Sequence, residues 1–341
     1  MRADISLDRA SFIGLVLETV GFGLFQGLFL VTVWTLLKRA STGRLNWALL
    51  STLVLIWALT FAHWIVNVVR GGKAFVELQG VPYGASAYYA DLSQSLYAAK
   101  TAIYVMLTFV GDTFAAYRCW IVWSKRHCVI ILPMLLCVAT LCTGFIATAE
   151  FSRMKAGDAI FAQSLVPWVT SFIVLSLATN IVCTFLIAFR VIKSQRRVAS
   201  YRVGGGLLAE RITAMLVILV ESAGTYSAAL ICLVTVYLLD SNGQYTILDL
   251  TTPIIGITFS MIIVRVALVE HASKAESSRA SGTVSWANGR DVEAPSSPRL
   301  SRPRRLSVNV VRLVEMSTDR PKSNVKRLPD SLKDNSSRSD L

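Results

Sequence analysis

Charge is scarce in this 341-residue chain. Asp, Glu, Lys and Arg together make up 16% of it, where an ordinary soluble domain carries about a quarter. With 54% hydrophobic residues and a mean hydropathy of +0.55, that shortage excludes a soluble globular fold and points to a membrane protein. Histidine is scarcer still: His63, His127 and His271 are the three in the chain. They fall at opposite membrane edges, so a zinc hydrolase site, which needs several ligands on one metal, is not expected. Also missing are CxxC, GxSxG, HExxH, the P-loop and the kinase motif set. No enzyme activity, metal or cofactor is therefore expected. The six cysteines lie in or beside apolar runs, so no exterior disulfide is expected either. The formal charge of +13 is not arranged as a nucleic-acid footprint. It fits cytosolic loops and a tail, and nucleic acid is excluded as a partner.

What the chain has in abundance is long apolar runs. A helix needs about 20 such residues to cross roughly 30 Å of hydrocarbon. Seven stretches qualify: 11–37, 47–69, 93–123, 128–149, 163–192, 211–239 and 247–270. The fold expected is an all-α seven-transmembrane helix bundle over 11–271, with the lipid bilayer as its first partner. Lys38, Arg39, Arg44, Lys125, Arg126, Lys193, Arg196, Arg197 and Arg202 fall in the three loops of one side. By the positive-inside rule these are cytosolic, which places residues 1–10 outside, the C-terminus inside and the protein in the plasma membrane. Pro133, Pro167 and Pro253 stand near span starts, where a missing N–H is tolerated. Beyond residue 271 the composition turns to Ser, Arg, Pro and Asn, and 272–341 reads as a disordered basic tail. Ser307 follows paired arginines and Ser297 precedes a proline. Both are phosphorylation candidates whose added charge would loosen a basic segment from anionic lipid.

Polar groups inside the spans mark the candidate sites, because a charge at mid-membrane is costly. Toward the cytosolic side, "GDTFAAYRCW" brings Asp112 and Arg118 into the third span. With Asn180, Glu221 and Arg265 they form an expected inner polar switch joining spans three, five, six and seven. Two simpler readings stand beside it: the arginines reach lipid phosphates, or the acids are protonated and locally bonded. Toward the outside, Glu18, His63, Asn67, Lys100 and Tyr104 group near the ends of spans one to three. That is the pattern of a small-ligand pocket, and equally of ordinary interhelical hydrogen bonds.

The runs "GDTFAAYRCWIVW", "GVPYGASAYYADLS", "TNIVCTFLIAFRV", "ILVESAGTYS" and "PIIGITFSMIIVRVAL" occur in that order. Over roughly residues 10–270 the chain thereby resembles a group of seven-span integral membrane proteins of basidiomycete fungi. The resemblance implies the topology and matches Asp112, Tyr117, Arg118, Asn180, Arg190, Glu221, Ser222 and Arg265, without assigning them chemistry. In topology the chain is also similar to G-protein-coupled receptors, with departures. Tyr117 rather than an acid precedes Arg118, NPxxY is missing, and no lysine in the seventh span allows a retinal Schiff base. Three readings of function remain open: a receptor or sensor for an unknown small ligand, coupled to a heterotrimeric G protein or another cytosolic effector; a transporter or channel using Asp112 and Glu221; and a membrane scaffold.

Overall fold

The computed structural model describes residues 5–42, 47–153, 165–199 and 206–286. Eight α-helices follow in order: α1 Leu7–Thr42, α2 Trp47–Gly72, α3 Gly84–Ala90, α4 Ser95–Val122, α5 His127–Arg153, α6 Val166–Ala199, α7 Gly206–Leu238 and α8 Gly243–Trp286. No strand occurs among the described residues. Hydrocarbon offers backbone N–H and C=O groups no partner, so an apolar run of this length satisfies them within its own helix. All except α3 carry a stretch long and apolar enough to cross a membrane, seven in total. The chain is a multi-pass integral membrane protein with an all-α seven-helix bundle.

Three features depart from the sequence reading. The stretch after α2, expected as a loop, contains a π-helical turn at Lys73–Glu77 and the short helix α3. Tyr83 supports the bend between them at φ 58°. Second, the last helix does not end near residue 270 but runs on to Trp286, past the expected tail boundary at 272. "VEHASKAESSRAS" (269–281) contains three Ala, two Glu, a Lys and an Arg among its serines and has neither Pro nor Gly, so nothing in it breaks a helix. Third, Pro133 and Pro253 lie inside α5 and α8 rather than at their starts. At Pro253 the carbonyl left free is that of Asp249, which accepts from Thr252 Oγ1 at 2.8 Å, the kind of replacement partner that lets membrane helices carry proline. Ser297 and Ser307 lie outside the described residues.

The core runs along the bundle axis through Phe25, Leu53, Ile56, Leu107, Leu230 and Phe259, all 6% exposed or less. Small residues set how closely α1 and α8 approach. A Cβ on Gly21 would lie 2.7 Å from Pro253 Cγ, and one on Gly256 would lie 2.6 Å from Phe25 Cζ. Along one side, α1 and α2 are zipped by stacked rings: Phe22 on Trp64 and Phe29 on Trp57, each with centroids 5.3 Å apart. The indoles of that zipper are satisfied, since Trp57 Nε1 donates to Gln26 Oε1 at 2.6 Å and Trp64 Nε1 to Thr19 Oγ1 at 3.0 Å.

Candidate functional site

Near the end of the bundle where α1 begins, four helices turn polar side chains toward one buried point. Glu18 comes from α1, His63 and Asn67 from α2, Lys100 from α4, and Asp249 with Thr252 from α8. Helical spacing explains the grouping. Residues three or four apart share a face, which aligns His63 with Asn67 and Asp249 with Thr252. Gly14 permits the close approach of α1, since a Cβ there would stand 3.0 Å from Asp249 Oδ2.

The contacts form one network. His63 Nδ1 lies 2.6 Å from Glu18 Oε1. Asn67 Nδ2 donates to Glu18 Oε2 at 2.6 Å and to Asp249 Oδ2 at 2.9 Å. Its Oδ1 accepts from Lys100 Nζ at 2.9 Å, and Lys100 closes the set with an ion pair to Asp249 Oδ1 at 2.6 Å. Thr252 Oγ1 donates to Asp249 O at 2.8 Å and approaches Glu18 Oε1 at 3.4 Å. Every member is 4% exposed or less. A buried pair is tolerated only when such hydrogen bonds complete it, and Asn67, touching three charged groups, supplies most of them.

Arg70, one turn beyond Asn67, is 2% exposed. Its guanidinium stands over the rings of Tyr89 and Tyr97, 5.2 and 5.0 Å from their centroids. Tyr89 belongs to α3, so the short helix is held over the bundle end by cation–π contact. Burial pushes the Tyr89 phenol up to about 12, against the opposing pull of Arg70, so it stays neutral at physiological pH. In the turn between α3 and α4, the Ser93 hydroxyl and N–H bond Asp91 and hold its carboxyl below the usual range.

Beside the network lies a cavity of about 60 Å3, bounded by α4, α5, α6, α7 and α8. Its wall is mostly apolar and aromatic, with Tyr104, Phe151 and Phe172 among the lining residues and Lys100 as its one formal charge. Of the five residues expected to line an outer pocket, Lys100 and Tyr104 do so. Glu18, His63 and Asn67 sit behind Lys100, within the network rather than on the cavity wall. The group therefore meets as expected, but as a support for the pocket. Asp249, Thr252 and Arg70 were missed by the sequence reading. Asp249 lies close to the expected start of its span and Arg70 just past the expected end of its own, so both looked like ordinary interfacial charges. The signal present was an Asp-x-x-Thr spacing that places two polar groups on one face of an otherwise apolar helix.

The inner switch does not form as one cluster. Asp112, Arg118 and Asn180 line a second cavity of about 40 Å3 together with Tyr226. Asp112 is 1% exposed, and its Oδ2, like Nε and Nη1 of Arg118, has no hydrogen-bond partner among the described residues. The Arg118 guanidinium rests 4.8 Å from the Phe114 ring centroid. Asn180 Nδ2 instead ties α6 to α7, donating to Ala223 O at 3.1 Å and Ser227 Oγ at 2.8 Å. Glu221 and Arg265 pair separately at 2.6 Å, with 60% and 31% of their side chains exposed. Matching depth brought these residues to one level; the rotation of α7 and α8 turns Glu221 and Arg265 away from Asp112. The pair lies on the surface of the bundle rather than in its core, and where water reaches it such a pair contributes at most about 1 kcal/mol. Glu221→Gln is therefore expected to change unfolding stability in nanodiscs by less than that, and a larger loss would mean the pair is sealed from its surroundings.

Among the described residues no group of His, Cys, Asp and Glu is arranged to hold a metal ion. Comparison with protein-family models, curated proteins and solved structures finds no match to this chain.

Proposed function

We propose that the chain is a membrane receptor or sensor for a small molecule, oriented with its N-terminus outside the plasma membrane. The observation that carries this reading is the cavity among α4 to α8, whose one charged wall residue, Lys100, is paired with Asp249 of α8. A ligand there bears on two helices through a single ion pair. It shifts the bundle between two arrangements to the extent that it fits one of them better. Both helices continue toward the opposite end, where α4 carries Asp112 and Arg118 beside the second cavity and α8 carries Arg265. Leu107 and Thr108, both 0% exposed, fill α4 between the two cavities. That packing favours a relay of helix movement over a path for a transported species.

The output partner on this reading is a heterotrimeric G protein or another cytosolic effector that meets the basic loops. Nucleotide exchange on Gα subunits, measured with membranes carrying the protein, tests it. Wild type is expected to accelerate exchange under a panel of small lipophilic compounds, and Ala147→Phe, which fills the cavity, is expected to abolish the response. Acceleration that Ala147→Phe leaves intact would place the trigger elsewhere, and no acceleration under any compound would remove G-protein coupling.

Transport is the second reading. It is favoured by the unpartnered Oδ2 of buried Asp112 facing a cavity, since intramembrane acids mark ion and proton paths. Proton flux in liposomes that Asp112→Asn removes would establish it.

A further inference from the structure

The cavity beside Lys100 carries polar atoms that the bundle leaves unused. Gln244, at the start of α8, is 4% exposed and lines it, and its Nε2 has no hydrogen-bond partner among the described residues. Tyr104, one turn beyond Lys100 on α4, is 2% exposed and lines it too, and its Oη makes no well-formed hydrogen bond among the described residues, though the Thr108 hydroxyl stands near it. A buried polar group without a partner costs about 1–3 kcal/mol. Two residues with such groups lining one cavity, on two different helices, are what a site waiting for a polar atom looks like.

Charge decides what kind of atom. Lys100 is already engaged by Asp249 and by Asn67 Oδ1. These contacts use two of the three N–H donors of the ammonium, and an anionic ligand at the third would add a further negative charge beside a buried cation that Asp249 already balances. A cationic ligand finds no carboxylate on the cavity wall. What remains is a neutral oxygen: a hydroxyl or carbonyl oxygen accepts from Gln244 Nε2 and from the Tyr104 hydroxyl, and a hydroxyl can instead donate to Tyr104 Oη. The rest of the ligand is set by the wall. Val105, Phe172, Leu233 and Leu248 present hydrocarbon, which rewards an apolar body. The volume of about 60 Å3 exceeds several-fold the roughly 10–15 Å3 that one water needs. A site for several heavy atoms is thus present, beyond a single solvent molecule.

We infer that this cavity binds the polar end of a neutral, lipid-like molecule, one hydroxyl or carbonyl on an aliphatic chain, with Gln244 and Tyr104 as its polar contacts. The inference rests on the receptor reading above and names its ligand class. Such a molecule partitions into the bilayer and meets a mostly apolar wall, so binding exchanges one hydrocarbon surface for another. The selectivity comes from the two hydrogen-bonding groups, because a site built to bond a polar atom rejects the analogue that lacks it.

The test uses the full chain in lipid nanodiscs and three photoreactive probes with the same ten-carbon, diazirine-bearing chain: a primary alcohol, a carboxylate and a quaternary ammonium. Crosslinked residues are mapped by mass spectrometry, with unlabelled decanol as competitor. The alcohol is expected to label residues of the cavity wall competitively, at least tenfold above either charged probe. Gln244→Leu and Tyr104→Phe are each expected to weaken competition by roughly 3- to 10-fold. Both variants should unfold at the wild-type temperature or slightly above it, since each removes a group that lacks a partner. Equal or stronger labelling of the cavity by a charged probe overturns the ligand class while leaving the pocket standing. Labelling by no probe, or labelling that Ala147→Phe leaves unchanged, overturns the pocket itself and the receptor reading with it.

Discussion

Lys100→Met is expected to cost about 3–5 kcal/mol of unfolding stability, the range seen when one partner of a buried ion pair is removed. The variant would leave the Asp249 carboxyl 1% exposed, 2.9 Å from Asn67 Nδ2 but without its counter-ion. It would also strip the donor from Asn67 Oδ1. The loss is thus mainly the penalty of an uncompensated charge rather than the worth of a contact. That distinction is itself testable. In the double variant Lys100→Met/Asp249→Leu neither charge remains, and replacing a buried pair by apolar groups is often neutral or stabilising. Denaturant unfolding in mixed micelles should therefore show the double variant recovering most of the stability lost in Lys100→Met. Asn67 keeps its bond to Glu18 Oε2 in both variants, which makes the comparison clean. A single variant as stable as wild type would show that the network does not tie α4 to α8.

Gly256→Leu is expected to cost about 1–3 kcal/mol from overpacking. Added carbon at position 256 would press into the Phe25 ring, three of whose atoms stand 2.6–2.7 Å from the place a Cβ would occupy. Phe25 is 0% exposed and cannot swing into lipid. Either α1 or the ring must move, and the Gly21 contact with Pro253, where a Cβ would be 2.7 Å from Cγ, resists a shift of α1. Phe25→Ala alone should also destabilise, by opening a cavity of ring size, about 3–5 kcal/mol. Combined, Phe25→Ala/Gly256→Leu should stand nearer wild type than Phe25→Ala, because the leucine fills space the ring vacates. Thermal unfolding of the three variants in nanodiscs measures this coupling. Additive losses would place the two residues in separate environments and contradict the close approach of α1 and α8.

Both predictions concern contacts between helices far apart in the chain, and this is where reading the sequence reaches its end. The polar set Glu18, His63, Asn67 and Lys100 was visible as a group because all four lie within about a third of the membrane of one face. Depth follows from counting residues at 1.5 Å each, and counting needs no tertiary information. The same counting placed Asp112, Glu221 and Arg265 together, and there it failed. Depth fixes height along a helix and leaves the angle around it open. Glu221 was counted to the depth of Asp112, with Arg265 nearer the cytosolic face but within reach, yet the two are joined to each other at 2.6 Å and not to Asp112.

Length, apolar content and local spacing are properties of single segments, so the seven spans and the all-α class could be read directly from the chain. The hydrocarbon solvent enforces them one helix at a time. Which faces meet is decided by packing between segments. The bundle chose Asp249, 149 positions along the chain, as the partner of Lys100, set Arg70 against Tyr89 and Tyr97, and left Gln244 and Tyr104 lining a cavity. Those choices depend on helix rotation, which Gly14, Gly21 and Gly256 set by letting α1 and α8 come close; such steric fit between distant segments has no signature within either segment alone.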